Sequence, residues 1–189
     1  MTSTTLANYS SLYIFLQYAS ALKTAAEAFQ EAETLFNDPE YDERIGWKAD
    51  TENDEGIVVY SKHTPKGKMV TVSVGSLNLF LCKTPFKTEL DLDFDSVMEE
   101  TWTGVKGLAK WNPNINFAKT IASPTPHFDI ITYGNNDILI VSGRDFVSAR
   151  IYRKTPNGYI MASRSVDLAD YPEKDGKVRY VMFSMMCLC

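Results

Sequence analysis

The stretch "SGRDFVSARIYRK", Ser142 to Lys154, decides the fold. Phe146, Val147, Ala149, Ile151 and Tyr152 suit a pleated, half-buried strand, yet Arg144, Asp145 and Arg150 sit among them. Residues two apart share a face of a strand. Phe146, Ser148, Arg150 and Tyr152 therefore point one way, and Val147, Ala149 and Ile151 the other. Alternation alone puts the aliphatic set inside. It leaves two readings for Arg150: a solvated charge on a wet face, or one fixed charge in apolar surroundings.

Further strand-like runs flank this one. "FDIITY" and "DILIV" precede it and "GYIMASRSVDL" follows, with turn residues between them. Upstream, "GIVVYSKH" and "KMVTVSV" are joined by Thr64-Pro65-Lys66-Gly67 and predict a hairpin. Another short strand is expected around Trp47 to Ala49. Leu22, Ala25, Ala26, Phe29, Ala32 and Phe36 recur at helical spacing and predict a helix over Ala19 to Phe36, ended by "NDPE". "TELDLDF", Thr88 to Phe94, alternates as a strand with one wet face. Ser96 followed by Glu99 reads as a capping box opening a helix with Met98, Trp102 and Val105 on its apolar stripe. "KWNPN", Lys110 to Asn114, is a turn into the next strands. The order of helix, strands, helix and many antiparallel strands argues for an α+β domain with a curved sheet.

The chain has 189 residues, 44% hydrophobic and 12% aromatic, which suits one globular domain with a sizeable core. Its net charge of −5 argues against nucleic acid as a partner. Three cysteines, Cys82, Cys187 and Cys189, are an odd number without metal-ligand spacing and suit a reducing, cytoplasmic compartment. "LYIFLQYA", Leu12 to Ala19, is too short and polar to span a bilayer. His63 and His127 lie far apart with no nucleophile in a recognisable motif, so no catalytic residues are assigned. Glu89, Asp91 and Asp93 lack the glycine and terminal glutamate of a calcium loop and read as the wet face of a strand. No metal or cofactor is expected.

Three motifs, "WNPN" at Trp111 to Asn114, "GRDFVSAR" at Gly143 to Arg150 and "DYPEKDGKVR" at Asp170 to Arg179, resemble the START family of lipid-transfer domains. "GWKAD" at Gly46 to Asp50 resembles the start of that family's first strand. The resemblance covers roughly Ala21 to Arg179 and is nearest the cholesterol-carrying subgroup. It implies a helix-grip fold, in which a curved antiparallel sheet with an N-terminal helix encloses a hydrophobic tunnel. On that pattern residues 1–20 are an N-terminal extension and 21–189 the lipid-binding domain. "GSLNLFLCKTPFK" is an insertion near residues 75–87, and the closing C-terminal helix is missing after "VRYVMFSMMCLC". Such a shortened grip would expose an apolar concave surface and an unpaired edge strand.

The resemblance also implies a site. Arg150 would face the tunnel and meet a carboxylate and a sterol hydroxyl, with Phe146 and Ser148 on the same face; Leu108 and Asn112 would line the tunnel, or stand as a core leucine and a turn-capping asparagine. The family's acidic partner should lie within or just after "IITY", where Ile130 to Asn136 are all uncharged, so the carboxylate is expected to be absent, and Asp137 is read either as its substitute or as a turn residue. The implied function is non-enzymatic binding and transfer of a lipid, a sterol by the nearest subgroup, by a monomer that touches membranes transiently. The alternatives are a phospholipid carrier, a fragment that binds a partner or membrane without transferring lipid, and a hydrolase or cyclase in the same cavity, against which the missing His/acid arrangement argues.

Overall fold

The structure, a computed structural model, describes residues 16–52, 58–65, 67–73, 78–81, 84–86, 93–137, 142–156, 158–173 and 175–188. Helix α1 (Ala19–Phe36) has the predicted bounds. Its buried residues are Ala21, Ala25, Ala28, Phe29 and Ala32, so small side chains bring its backbone close to the sheet. A short α2 (Pro39–Asp42) follows, with the Asp38 carboxylate accepting from Glu40 N.

Two sheets are present among the described residues. Strands β1 (Lys48–Glu52), β2 (Val58–Thr64) and β3 (Gly67–Ser73) form a three-stranded sheet, with the expected hairpin closing at Thr64 and Gly67. The larger sheet contains β4 (Asn78–Leu81), β5 (Thr84–Phe86), β6 (Ile115–Thr125), β7 (Phe128–Asn135), β8 (Arg144–Thr155), β9 (Gly158–Ser165) and β11 (Phe183–Leu188), in the order β5-β4-β11-β9-β8-β7-β6. The two-residue β10 (Val178–Arg179) pairs in parallel with the start of β8. The insertion near residues 75–87 contains β4 and β5, which extend this sheet beyond β11. The tail is likewise not an unpaired edge: β11 bonds β9 on one side and β4 on the other.

Both faces of β8 are covered, which resolves the conflict in its sequence. Val147, Ala149 and partly buried Ile151 pack with Ala21, Ala25, Phe128, Ile130 and Val166 under α1. Further along the same face, Ala28, Phe29, Ala32 and Tyr41 pack on Ile160, Ala162 and Met185. The opposite face carries Phe146, Ser148 and Arg150, all buried as well.

Helix α3 (Phe94–Thr103) lies against that second face, where Met98 and Met186 are enclosed by Trp102, Tyr152, Tyr159 and Met161. Its start differs from expectation. Asp93, not Ser96, is the N-cap, with its carboxylate accepting from Ser96 N at 2.9 Å. Phe94 thus opens the helix instead of ending a strand, and residues 88–92 and 138–141 of the expected strands lie outside the described residues. A 3-10 turn (Gly104–Gly107) and α4 (Leu108–Trp111) lead into β6. The architecture is the expected α+β helix-grip arrangement, with no closing helix among the described residues.

Candidate functional site

Strand register builds the site. Asp129 on β7 pairs with Arg150 on β8, and Arg150 pairs with Ser163 on β9. Directly opposed residues project from the same face, so these three form one row across the second face. The next row contains Ile131, Ser148 and Ser165, and the one after it begins with Tyr133 and Phe146, whose rings stack at 4.5 Å. On the other side, Tyr152, Met161 and Met186 make an apolar row. The charged row is therefore flanked by an aromatic and thioether row on one side and by Ile131 with two serines on the other.

Arg150 and Asp129 are 5% and 3% exposed, which decides between the two readings of the arginine: it is not a surface charge. Arg150 Nε donates to Asp129 Oδ1 at 2.8 Å and Nη2 to Oδ2 at 2.6 Å, a bidentate pair. Nη2 also donates to Trp102 O at 2.9 Å and Nη1 to Thr101 O at 3.3 Å. These carbonyls end α3, where the helix dipole favours a cation. The guanidinium lies 4.5 Å from the Trp102 ring centre, in cation–π range. Trp102 meets Tyr152 edge-on at 4.6 Å, and Tyr152 meets His127 at 4.8 Å. Burial pushes the Asp129 carboxyl above the ordinary aspartate range, and the Arg150 hydrogen bonds and charge pull it back only in part.

The carboxylate expected to be missing is thus present one residue before the interval in which it was sought. Asp137 is not its substitute. Its Oδ1 accepts from Gly143 N at 2.5 Å, fastening the two ends of the segment between β7 and β8. The hint available in the sequence was the alternation of "FDIITY", which puts Asp129 on one face with Ile131 and Tyr133. Ser163 was missed too, because its place beside Arg150 depends on the β8–β9 register.

Of the other expected site residues, Phe146 and Ser148 share Arg150's face. Leu108 and Asn112 stand on α4 and the turn before β6, an edge strand of the sheet. Asn112 Oδ1 accepts from Asn114 N at 3.0 Å, so its side-chain oxygen shapes the turn. Two hydroxyl oxygens on the second face, Ser148 Oγ and Ser163 Oγ, are buried without a hydrogen-bond partner among the described residues.

The sequence profile of the START domain matches residues 27–189. The Caenorhabditis elegans protein "Steroidogenic acute regulatory-like protein 1" is 52% identical over 164 residues, 86% of this chain and 58% of that protein. The human "Steroidogenic acute regulatory protein, mitochondrial" is 25% identical over 170 residues, 86% of this chain and 52% of that protein. The chain thus spans a little over half the length of these curated relatives. Human StAR-related lipid transfer protein 5 superposes with a TM-score of 0.61 at 16% identity, covering 89% of this chain and 80% of that one, which shows a common fold. Motifs, register and profile agree: the chain belongs to the START domain family, whose members bind and transfer lipids.

Proposed function

We propose that this chain is a non-enzymatic carrier of a sterol-class lipid, which it takes up at one membrane, shields against the second face of its main sheet, and delivers to another. The observation that carries the reading is the Asp129–Arg150 pair, buried among Trp102, Tyr152, Met161 and Phe146. A buried ion pair holds a fold no better than well-packed apolar residues of similar volume. On a face otherwise suited to an apolar molecule, it marks a fixed polar end for a ligand with one polar end of its own. The driving force would be removal of the ligand's apolar surface from water, at about 25 cal/mol per Å².

The printed names of the relatives, steroidogenic acute regulatory proteins and a lipid transfer protein, support the same reading. The polar groups gathered on this face are a paired carboxylate, a paired guanidinium and hydroxyls, a set that suits recognition rather than proton transfer. The odd cysteine count supports work in the cytoplasm, where the chain would act as a monomer that meets membrane surfaces transiently.

The test uses the 189-residue chain with a fluorescent sterol, first free and then loaded in donor vesicles. Saturable one-to-one binding, and transfer to acceptor vesicles faster than the spontaneous rate, are expected. A folded monomer that neither binds nor transfers the sterol would overturn the reading.

A further inference from the structure

Arg150 is the obvious candidate to meet a ligand's polar group, yet its hydrogen bonds are already committed. Nε and Nη2 serve Asp129, Nη2 also serves Trp102 O, and Nη1 serves Thr101 O. A guanidinium has five N–H groups, so a single one on Nη1 is left, and the charge is balanced by the Asp129 carboxylate.

The unspent hydrogen bonding on this face belongs to serines. Ser148 is fully buried and Ser163 is 4% exposed, and neither hydroxyl has a partner among the described residues. Native folds leave few buried hydroxyls unpaired, and two together invite an explanation. Ser165, on the same face, shows the usual outcome: its hydroxyl donates to Tyr180 O and accepts from Met182 N at 2.7 Å. Ser148 pairs with Ser165, and Ser163 with Arg150, so Ser148 and Ser163 are diagonal neighbours on adjacent strands. Such neighbours lie about 7–8 Å apart between Cα atoms, a span that one oxygen set between two hydroxyls bridges.

We propose that Ser148 and Ser163 bind the polar end of the lipid, and that this end is a single uncharged hydroxyl or carbonyl; the proposal rests on the carrier reading above. A lipid hydroxyl accepts from one serine and donates to the other, whereas a carbonyl accepts from both. A phosphate fits poorly. It would bring an unbalanced negative charge beside Asp129, and Arg150 could offer it more than its one free N–H only by leaving Asp129 or α3. Arg150 is then a positioning residue, which holds the last turn of α3 over the row. Because the serines are covered, uptake requires an element on this face to shift. Helix α3 is tied there by Arg150, by Trp102 and Met98, and at its exposed start by Asp95 with Lys154 and Tyr159.

The experiment compares wild type, Ser148→Ala, Ser163→Ala and the double variant of the 189-residue chain. The probes are a fluorescent sterol with a free 3-hydroxyl, its 3-deoxy counterpart and vesicles of anionic phospholipid, and the unfolding midpoint is measured without lipid. Each single substitution is expected to weaken hydroxysterol binding about five- to tenfold and to leave deoxysterol binding unchanged. The lipid-free midpoint should hold or rise, because alanine removes an unpaired hydroxyl. A wild type that binds the hydroxysterol as tightly as the double variant does overturns the serine assignment and leaves the carrier reading standing. Equal loss for both sterols, a fallen lipid-free midpoint, or saturable uptake of the phospholipid also overturns the assignment. A wild type that binds neither sterol overturns the carrier reading and the assignment with it.

Discussion

Asp145 and Arg179 meet as a bidentate ion pair that fastens β10 to the start of β8, with Nε–Oδ1 at 3.1 Å and Nη2–Oδ2 at 2.8 Å. Asp145 is 1% exposed, and Arg179 also donates to Tyr171 O and Pro172 O. The pair joins the second and third of the motifs by which the sequence was read, so both owe much of their character to this contact. Removing one partner strands the other in the interior. Arg179→Met should therefore destabilise the fold by about 3–5 kcal/mol in a denaturant titration, and Asp145→Asn by a comparable amount. A loss within about 0.5 kcal/mol would mean that the 170–182 segment is held by other contacts.

The second buried pair makes a double-substitution test possible. Arg150→Leu leaves the Asp129 carboxylate buried and drives its protonation, while Asp129→Leu leaves Arg150 with only the α3 carbonyls and Trp102. Each single change should cost about 3–5 kcal/mol, and the double change should recover most of it, because two apolar groups need no pairing. Additive losses in the double variant would mean that the two side chains are uncoupled and that each stabilises the fold through its other contacts.

How far the sequence went can be argued from the same residues. Helix α1 was legible because its alanines and phenylalanines repeat at one period over 18 residues. The strands from β7 to β9 were legible from turn residues and alternation. The face of β8 was not, since both sets of its side chains are buried and alternation carries no sign when neither face meets water. The Asp129 partner and Ser163 depend on cross-strand register, which turn lengths and bulges set; β6 and β7 alone shift register at three places. The start of α3 went astray because Asp93 and Ser96 are both good caps, and the choice between them depends on where the chain enters the helix. The β4–β5 hairpin was hidden because an apolar insertion can become a strand only where β11 offers a free edge.

The docking of α1 gives a third test. Ala25, Ala28 and Ala32 have no exposed surface, and the helix closes on the sheet through them. Ala28→Leu adds three carbons where Phe29, Ile160 and Met185 already fill the space. The expected loss is about 1–3 kcal/mol in thermal or chemical unfolding, since overpacking forces side chains off their rotamers. Ala26→Leu, on a half-buried position of the same helix, should stay within about 0.5 kcal/mol. Equal effects at the two positions would contradict the close approach of α1.

Acid should separate the two ends of α3. At its start, hydrogen bonds from Lys154 and then Tyr159 hold the Asp95 carboxyl below the ordinary aspartate range, and those from Ser96 hold Asp93 there. A carboxyl with a depressed folded value contributes stability that is present above the unfolded value, about 4, and lost as the pH falls through the folded one. Asp129 has the opposite sign. Burial raises its folded value, so its contribution is complete below about pH 4 and fades as the pH rises through that raised value. Acidification below about pH 4 should then loosen the start of α3, seen in the Ser96 and Asp95 amide resonances, before the β7–β8 pairing gives way. The step should shrink in high salt, because Asp95 and Lys154 are exposed. Asp95→Asn should shrink it to the part that Asp93 contributes, and Asp129→Asn should leave it in place. If instead the β7 and β8 amides move together with Ser96, Asp129 is titrating as a depressed carboxylate and the burial argument fails.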